Sequence, residues 1–199
     1  MSSTQTPLSK STPERGTLVL VVGPSGVGKD TLIEGARALL AGDPQVIFAR
    51  REITRAADAG GEDHHPVTPA AFAARRAAGA YLLSWEANGH SYGASATYEG
   101  DLAAGRTVVL NASRSVLDAA RARFAPVRIV AITAPPEALR ARLAARGRES
   151  HAEIEARVAR AGMLPVMGDD VTVIANDGPL DAGAAALAAV IRGQRSTAA

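Results

Sequence analysis

The chain has no cysteine, so disulfides, thiolate nucleophiles and cysteine-ligated zinc are excluded together. Aromatic residues make up only 4% of it, too few for the stacking platforms that single-stranded nucleic acids require. Charge of one sign is not in excess either. Lys and Arg number 22 against 20 Asp and Glu, for a net charge of +2, and no stripe of clustered cations marks a polyanion partner. No apolar run is long enough to cross a bilayer, and residues 1–16 are polar, without the apolar segment of a secretion signal. The expectation is a cytoplasmic protein that binds neither nucleic acid nor membrane; oligomeric state is not legible at this level.

Lysine is scarce as well. Lys10, in the polar tail, and Lys29 are the only two, and every other cation is arginine. In a chain that otherwise writes positive charge as Arg, a lone lysine after a glycine-rich turn points to a site that needs a compact ammonium.

That turn is Gly23-Pro24-Ser25-Gly26-Val27-Gly28-Lys29-Asp30-Thr31. It follows the apolar run Thr17 to Val22 and opens a helical pattern in which Leu32, Ile33, Ala36, Leu39 and Leu40 share a face. Strand, glycine-rich loop and helix in that order make a phosphate-binding P-loop, whose backbone N–H groups curl around phosphate oxygens at a helix N-terminus. Residues 23–31 are therefore the expected ATP-binding loop, with Lys29 on the outer phosphates. Asp30 stands where Ser or Thr ordinarily meets Mg²⁺, and makes that residue the expected metal-side ligand, directly or through water.

With 47% apolar residues in 199, one ordinary domain is expected: a polar tail over 1–16, a kinase domain over 17–193 and a second tail over 194–199. Further apolar strands are expected at 45–49, 107–110, 127–132 and 171–175, separated by helical patterns, the last carrying Leu180, Ala184, Leu187 and Ile191. This alternation predicts an α/β three-layer fold around a parallel sheet. Two segments interrupt it. Residues 50–95 read as an inserted lobe, with Thr68 and Pro69 starting a short helix, a strand from Tyr81 to Trp85, and an Asn88-Gly89 hairpin turn. Trp85 is expected to pack on Phe72. Residues 146–152 form a hinge between two helices, where Ser150 and Glu153 make a capping box.

On these residues the chain resembles the guanylate-kinase-type nucleoside monophosphate kinases from about Thr17 to Val190. The likeness is carried by the P-loop, Ile53-Thr54-Arg55, Gly61 to Asp63, Tyr92-Gly93, and Arg146-Gly147 with Arg157. It implies that the lobe holds a phosphate acceptor through Arg55 and Tyr92, that Arg146 and Arg157 act with Lys29 as catalytic cations in a mobile lid, and that Asn176 contacts the nucleotide base. At positions where this family reads guanine, the chain has Arg51, Leu83 and Ala94. Leu83 and Ala94 offer no hydrogen bond to a purine edge, and Arg51 suits a second phosphate; a family tyrosine is matched by His64, and a lobe arginine by Asp58.

Asp30, Arg51, His64, Leu83-Ser84-Trp85, Ala87-Asn88-Gly89, Asn111 with Ser113-Arg114, and Arg146 to Glu149 resemble more closely the branch that phosphorylates ribose 1,5-bisphosphate in phosphonate catabolism. That likeness implies ATP with Mg²⁺, a phosphorylated ribose held by Arg51, Arg55, His64 and Tyr92, and 5-phosphoribosyl 1-diphosphate as product. Asp63 and Glu86 flank the acceptor site as further candidates for orienting Mg²⁺ through water. A GMP kinase and a non-catalytic binding module of the same fold remain as alternatives, and the intact Gly28-Lys29 pair argues against the second.

Overall fold

The computed structural model describes residues 15–56, 62–147, 150–162 and 166–193. The expected tails over 1–16 and 194–199 lie almost entirely outside the described residues, as do Asp58, Arg148 and the side chain of Arg146.

Strand β1 (Leu18–Val22) is the axis of the molecule, and all five residues are fully buried. It lies between β7 (Thr107–Asn111) and β8 (Val127–Thr133); β2 (Val46–Phe48) extends the sheet beyond β7, and β9 (Val171–Ala175) beyond β8. Every pairing in this sheet is parallel. Successive side chains leave a strand on opposite faces, and β1 accordingly splits its residues between two cores. Val19 and Val21 pack with Leu32, Ile33 and Ala36 of α1 (Lys29–Leu39) and with Leu187 and Ile191 of α7 (Leu180–Ile191). Leu18, Leu20 and Val22 join the opposite core with Val116, Leu117 and Ala120, the last two from α4 (Leu117–Arg123). Burying a Leu or Val side chain contributes about 1.5–3 kcal/mol, so these alternating contacts fix the register of the whole sheet.

Two helix-face expectations are corrected. Leu39 is 53% exposed while Leu40, one residue on, is buried; Leu180 is likewise exposed at the first turn of α7. Both lie at helix ends, Leu39 as the last residue of α1 and Leu180 as the first of α7.

The lobe is a second, four-stranded sheet in the order β4-β3-β6-β5, made of β3 (Arg51–Ile53), β4 (His65–Pro66), β5 (Tyr81–Ala87) and β6 (His90–Ser95). Asn88 and Gly89 make the β5–β6 turn with positive φ at both positions, and Thr68 caps α2 (Pro69–Ala77) by accepting a hydrogen bond from the Ala71 N–H. Sequence patterning did not foresee β3, β4 or α3 (Tyr98–Ala103). They are short, and β3 places two charged residues in three, so neither periodicity nor propensity marks them. The lobe shares its core with the main sheet: Ile53, Leu82, Leu83, Trp85, Tyr92 and Ala94 belong to the same buried cluster as Leu18 and Leu20. Trp85 stacks on Tyr92, with centroids 5.7 Å apart, and Phe72 stacks on Tyr81 instead of Trp85.

Helices α5 (Pro136–Arg146) and α6 (His151–Gly162) make a hairpin with its own small core of Leu139, Leu143, Ile154 and Val158. The capping box forms as expected: Glu153 accepts from the Ser150 N–H at 2.7 Å, and Ser150 Oγ accepts from the Glu153 N–H at 3.4 Å.

Candidate active site

The C-terminal ends of β1 and β7, the lobe hairpin and α6 enclose a cleft of about 550 Å³. Gly23, Ser25, Gly26, Gly28, Lys29, Asp30 and Thr31 line one wall, and Arg51, Arg55, Glu62, Trp85 and Tyr92 line the facing one. The parallel sheet explains this placement, because crossover connections leave the strand ends of such a sheet open as a crevice.

On the P-loop wall, two glycines are needed for shape. Gly26 has φ +86°, and a Cβ there would lie 2.7 Å from Leu143 of α5. Gly28, the residue before α1, has φ +93°, and a Cβ would lie 2.5 Å from the Asn176 amide nitrogen. The loop is braced from behind at one atom. The Val27 carbonyl accepts from Asn176 Nδ2 at 2.7 Å and from Arg142 Nη1 at 3.1 Å, while Arg142 Nη2 donates to the Asn176 carbonyl at 2.9 Å. Asn176, expected to touch the nucleotide base, is buried with its amide N–H₂ committed to the P-loop backbone. Arg142 was not singled out in the sequence; its position on α5, one turn before Arg146, was the available signal.

Lys29 folds back over the loop and donates to the carbonyls of Gly23 at 2.7 Å and Pro24 at 3.1 Å. Burial lowers its pKa from 10.5 to about 8, with Arg51 and Arg114 acting in the same direction and Asp30 and Glu62 opposing. From α6, Arg157 reaches across the cleft mouth and donates to Ser25 Oγ at 3.0 Å. Asp30 is exposed at the mouth and accepts from Asn111 Nδ2 at 2.7 Å. The carboxylate after the P-loop thus stands beside the end of β7.

The lobe wall differs from expectation. Arg51 is only 8% exposed and carries a two-pronged ion pair to Glu62, through Nε at 3.0 Å and through Nη2. Its Nη1 donates to the Asn111 carbonyl at 2.9 Å, and its guanidinium lies over the rings of Tyr92 and Trp85 at 5.0 and 5.6 Å. His64 is buried, with Nδ1 3.0 Å from the Glu62 carbonyl and Nε2 3.1 Å from the Arg55 carbonyl. Arg51 commits three N–H groups to Glu62 and the Asn111 carbonyl, and both ring nitrogens of His64 lie against main-chain carbonyls. Tyr92, expected on the acceptor phosphate, is buried against Trp85 yet lines the cleft. Arg55 remains as the open cation of this wall. Its Nε and Nη2 are buried and have no hydrogen-bond partner among the described residues.

Of the two carboxylates expected to flank the site, Asp63 pairs with Arg50 at 2.6 Å, and Glu86 is mostly exposed beside Arg76. The carboxylate that enters the cleft is Glu62. It was read only as part of a Gly-Glu-Asp run, because nothing local says which acid of the run turns inward. Among the described residues no three His, Cys, Asp or Glu side chains gather into a metal-binding group.

A family model described as an AAA domain matches residues 18–163. The ribose 1,5-bisphosphate phosphokinase of Rhodopseudomonas palustris is 55% identical over 145 residues, 73% of this chain and 74% of that one. The protein of the same description from Acidiphilium cryptum is 51% identical over 181 residues, 90% of this chain and 95% of that one. Among solved structures, guanylate kinase from Anaplasma phagocytophilum aligns with a TM-score of 0.63 over 92% of this chain and 89% of that one. At 20% identity that likeness establishes the shared fold.

Proposed function

The chain belongs to the ribose 1,5-bisphosphate phosphokinases, and we propose that its cleft transfers the γ-phosphoryl group of ATP to the 1-phosphate of α-D-ribose 1,5-bisphosphate. An oxygen of the 1-phosphate attacks the γ-phosphorus, the bond to the β,γ-bridging oxygen breaks, and ADP leaves with that electron pair. The products are ADP and 5-phosphoribosyl 1-diphosphate. The nucleophile is already anionic, so the step needs positioning and charge neutralisation and no general base.

The observation that carries this reading is Arg55. Two buried guanidinium nitrogens without a partner among the described residues each cost about 1–3 kcal/mol, a penalty that an acceptor phosphate in the cleft would offset. Across from it, the P-loop N–H groups and Lys29 would hold the β- and γ-phosphates, with Lys29 exchanging its two carbonyl partners for phosphate oxygens. Arg157, resting on Ser25, is placed to meet charge on the transferring group, and Arg146 is its expected companion. Asp30 suits Mg²⁺, which takes one or two carboxylates together with substrate phosphates; such an ion would neutralise charge on the ATP phosphates. A purine acceptor is disfavoured, because Leu83 and Ala94 are buried and apolar and the Arg51–Glu62 pair occupies the lobe wall.

The test is to offer ATP with ribose 1,5-bisphosphate and with GMP in parallel, following the new diphosphate by phosphorus NMR. The expected result is turnover of the sugar and neglect of GMP; the reverse overturns the assignment. Among the described residues no helix is long and apolar enough to cross a membrane.

A further inference from the structure

We infer that Glu62 is the specificity-determining residue of the acceptor site, and that its carboxylate accepts a hydrogen bond from a ring hydroxyl of the acceptor sugar. This rests on the phosphoryl-transfer reading above and goes beyond it in naming the group that recognises the sugar between its phosphates.

Three side chains converge on this one residue. Arg51 grips both carboxylate oxygens and is itself fixed by the Asn111 carbonyl and the two stacked rings beneath it. His64 spans the carbonyls of Glu62 and Arg55, so the residue bearing the carboxylate and the residue bearing the unpartnered guanidinium are held at a set separation. Asn111 Nδ2 lies 2.7 Å from Asp30 and 3.4 Å from Glu62, which ties the carboxylate to the P-loop side of the cleft. Glu62 is therefore placed between the cation that suits one phosphate and the loop that suits the transferring one. A carboxylate has about four acceptor sites; Arg51 takes two and Asn111 a third, leaving capacity for an O–H donor from the cleft, which Glu62 lines.

The chemistry discriminates in two directions. A carboxylate repels a phosphate placed beside it, so the two phosphates of the acceptor are directed away from Glu62, and the neutral hydroxylated ring is what it accepts. An acceptor lacking the hydroxyl leaves a desolvated anion short of a partner, the kind of loss to which polar sites are most sensitive. Arg51 and His64 are, on this account, positioning residues: they aim Glu62 and do not hold phosphate.

The experiment compares ribose 1,5-bisphosphate with its 2-deoxy and 3-deoxy analogues, using wild type, Glu62→Gln, and the double variant Arg51→Gln/Glu62→Gln, which leaves no buried charge unpaired. Thermal melts and binding of a non-hydrolysable ATP analogue establish that each variant is folded. In wild type, removing the recognised hydroxyl should lower kcat/KM by about 10- to 100-fold, the range of a hydrogen bond to a charged group. In the variants the same removal should cost less, about 2- to 10-fold, because the amide keeps an acceptor oxygen without the charge. Equal penalties in wild type and in a folded variant overturn the inference while leaving the phosphotransferase reading intact. A wild-type protein that ignores ribose 1,5-bisphosphate sinks both.

Discussion

The two walls of the cleft are built on opposite plans. The P-loop wall is one contiguous stretch of chain, braced from outside by Asn176 and Arg142 at a single carbonyl. The lobe wall is assembled from β3, the segment at Glu62 to His64, and the β5–β6 hairpin, and its side chains bind one another before they bind anything else. A donor site common to many phosphate-transfer enzymes can rest on backbone geometry; an acceptor site that must choose one substrate rests on side-chain pairings.

If that contrast holds, variants on the two sides should fail differently. The largest effect is expected at the mouth, where Arg157→Ala should lower kcat by about 10³–10⁵-fold, the range of an arginine finger. Its melting temperature should stay near wild type, since Arg157 reaches from α6 across the cleft mouth to an exposed serine; full activity would remove it from the lid role. Gly28→Ala should damage the P-loop wall by strain alone. A left-handed φ and the approach to Asn176 together cost about 1–3 kcal/mol, so ATP binding measured by calorimetry should weaken while acceptor KM stays unchanged.

His64→Ala tests the lobe wall. Removing the ring that bridges the Glu62 and Arg55 carbonyls should cost about 1–3 kcal/mol of stability and raise the KM for the acceptor, with ATP binding retained. Loss of ATP binding instead would show that the two walls are not independent.

The smallest effect concerns protons. Lys29 has its pKa held near 8 by burial. The unfolded chain keeps that proton up to its ordinary pKa of 10.5, so this group's cost to folding is complete below pH 8 and is relieved as pH rises from 8 to 10.5. Phosphate oxygens around the ammonium reverse the shift. Binding of ATP at pH 8 should therefore take up roughly half a proton, seen by titration calorimetry in buffers of different ionisation enthalpy. No uptake would mean that Lys29 does not exchange its carbonyl partners for phosphate.

How much was legible follows the same division. The five parallel strands, the capping box, the Asn88-Gly89 turn and the P-loop are local patterns, and each was placed within a residue or two. The lobe wall was legible as a set of residues but not as a set of pairings. Arg51 looked like a phosphate ligand because an unpaired arginine in a site suggests one, and nothing nearby in the chain showed that Glu62 neutralises it. His64 inherited a ligand role by position, yet its ring nitrogens face main-chain carbonyls that only folding brings to it.

By itself the sequence determined that a P-loop is present, and where, because a P-loop is written in consecutive residues whose backbone geometry follows from glycine and helix order. Only the tertiary structure decided what Arg51, Glu62, Asn111 and Asn176 do. Their partners lie from 11 to 149 positions away, and the pairing of buried polar groups is settled by which of them packing leaves within reach of one another.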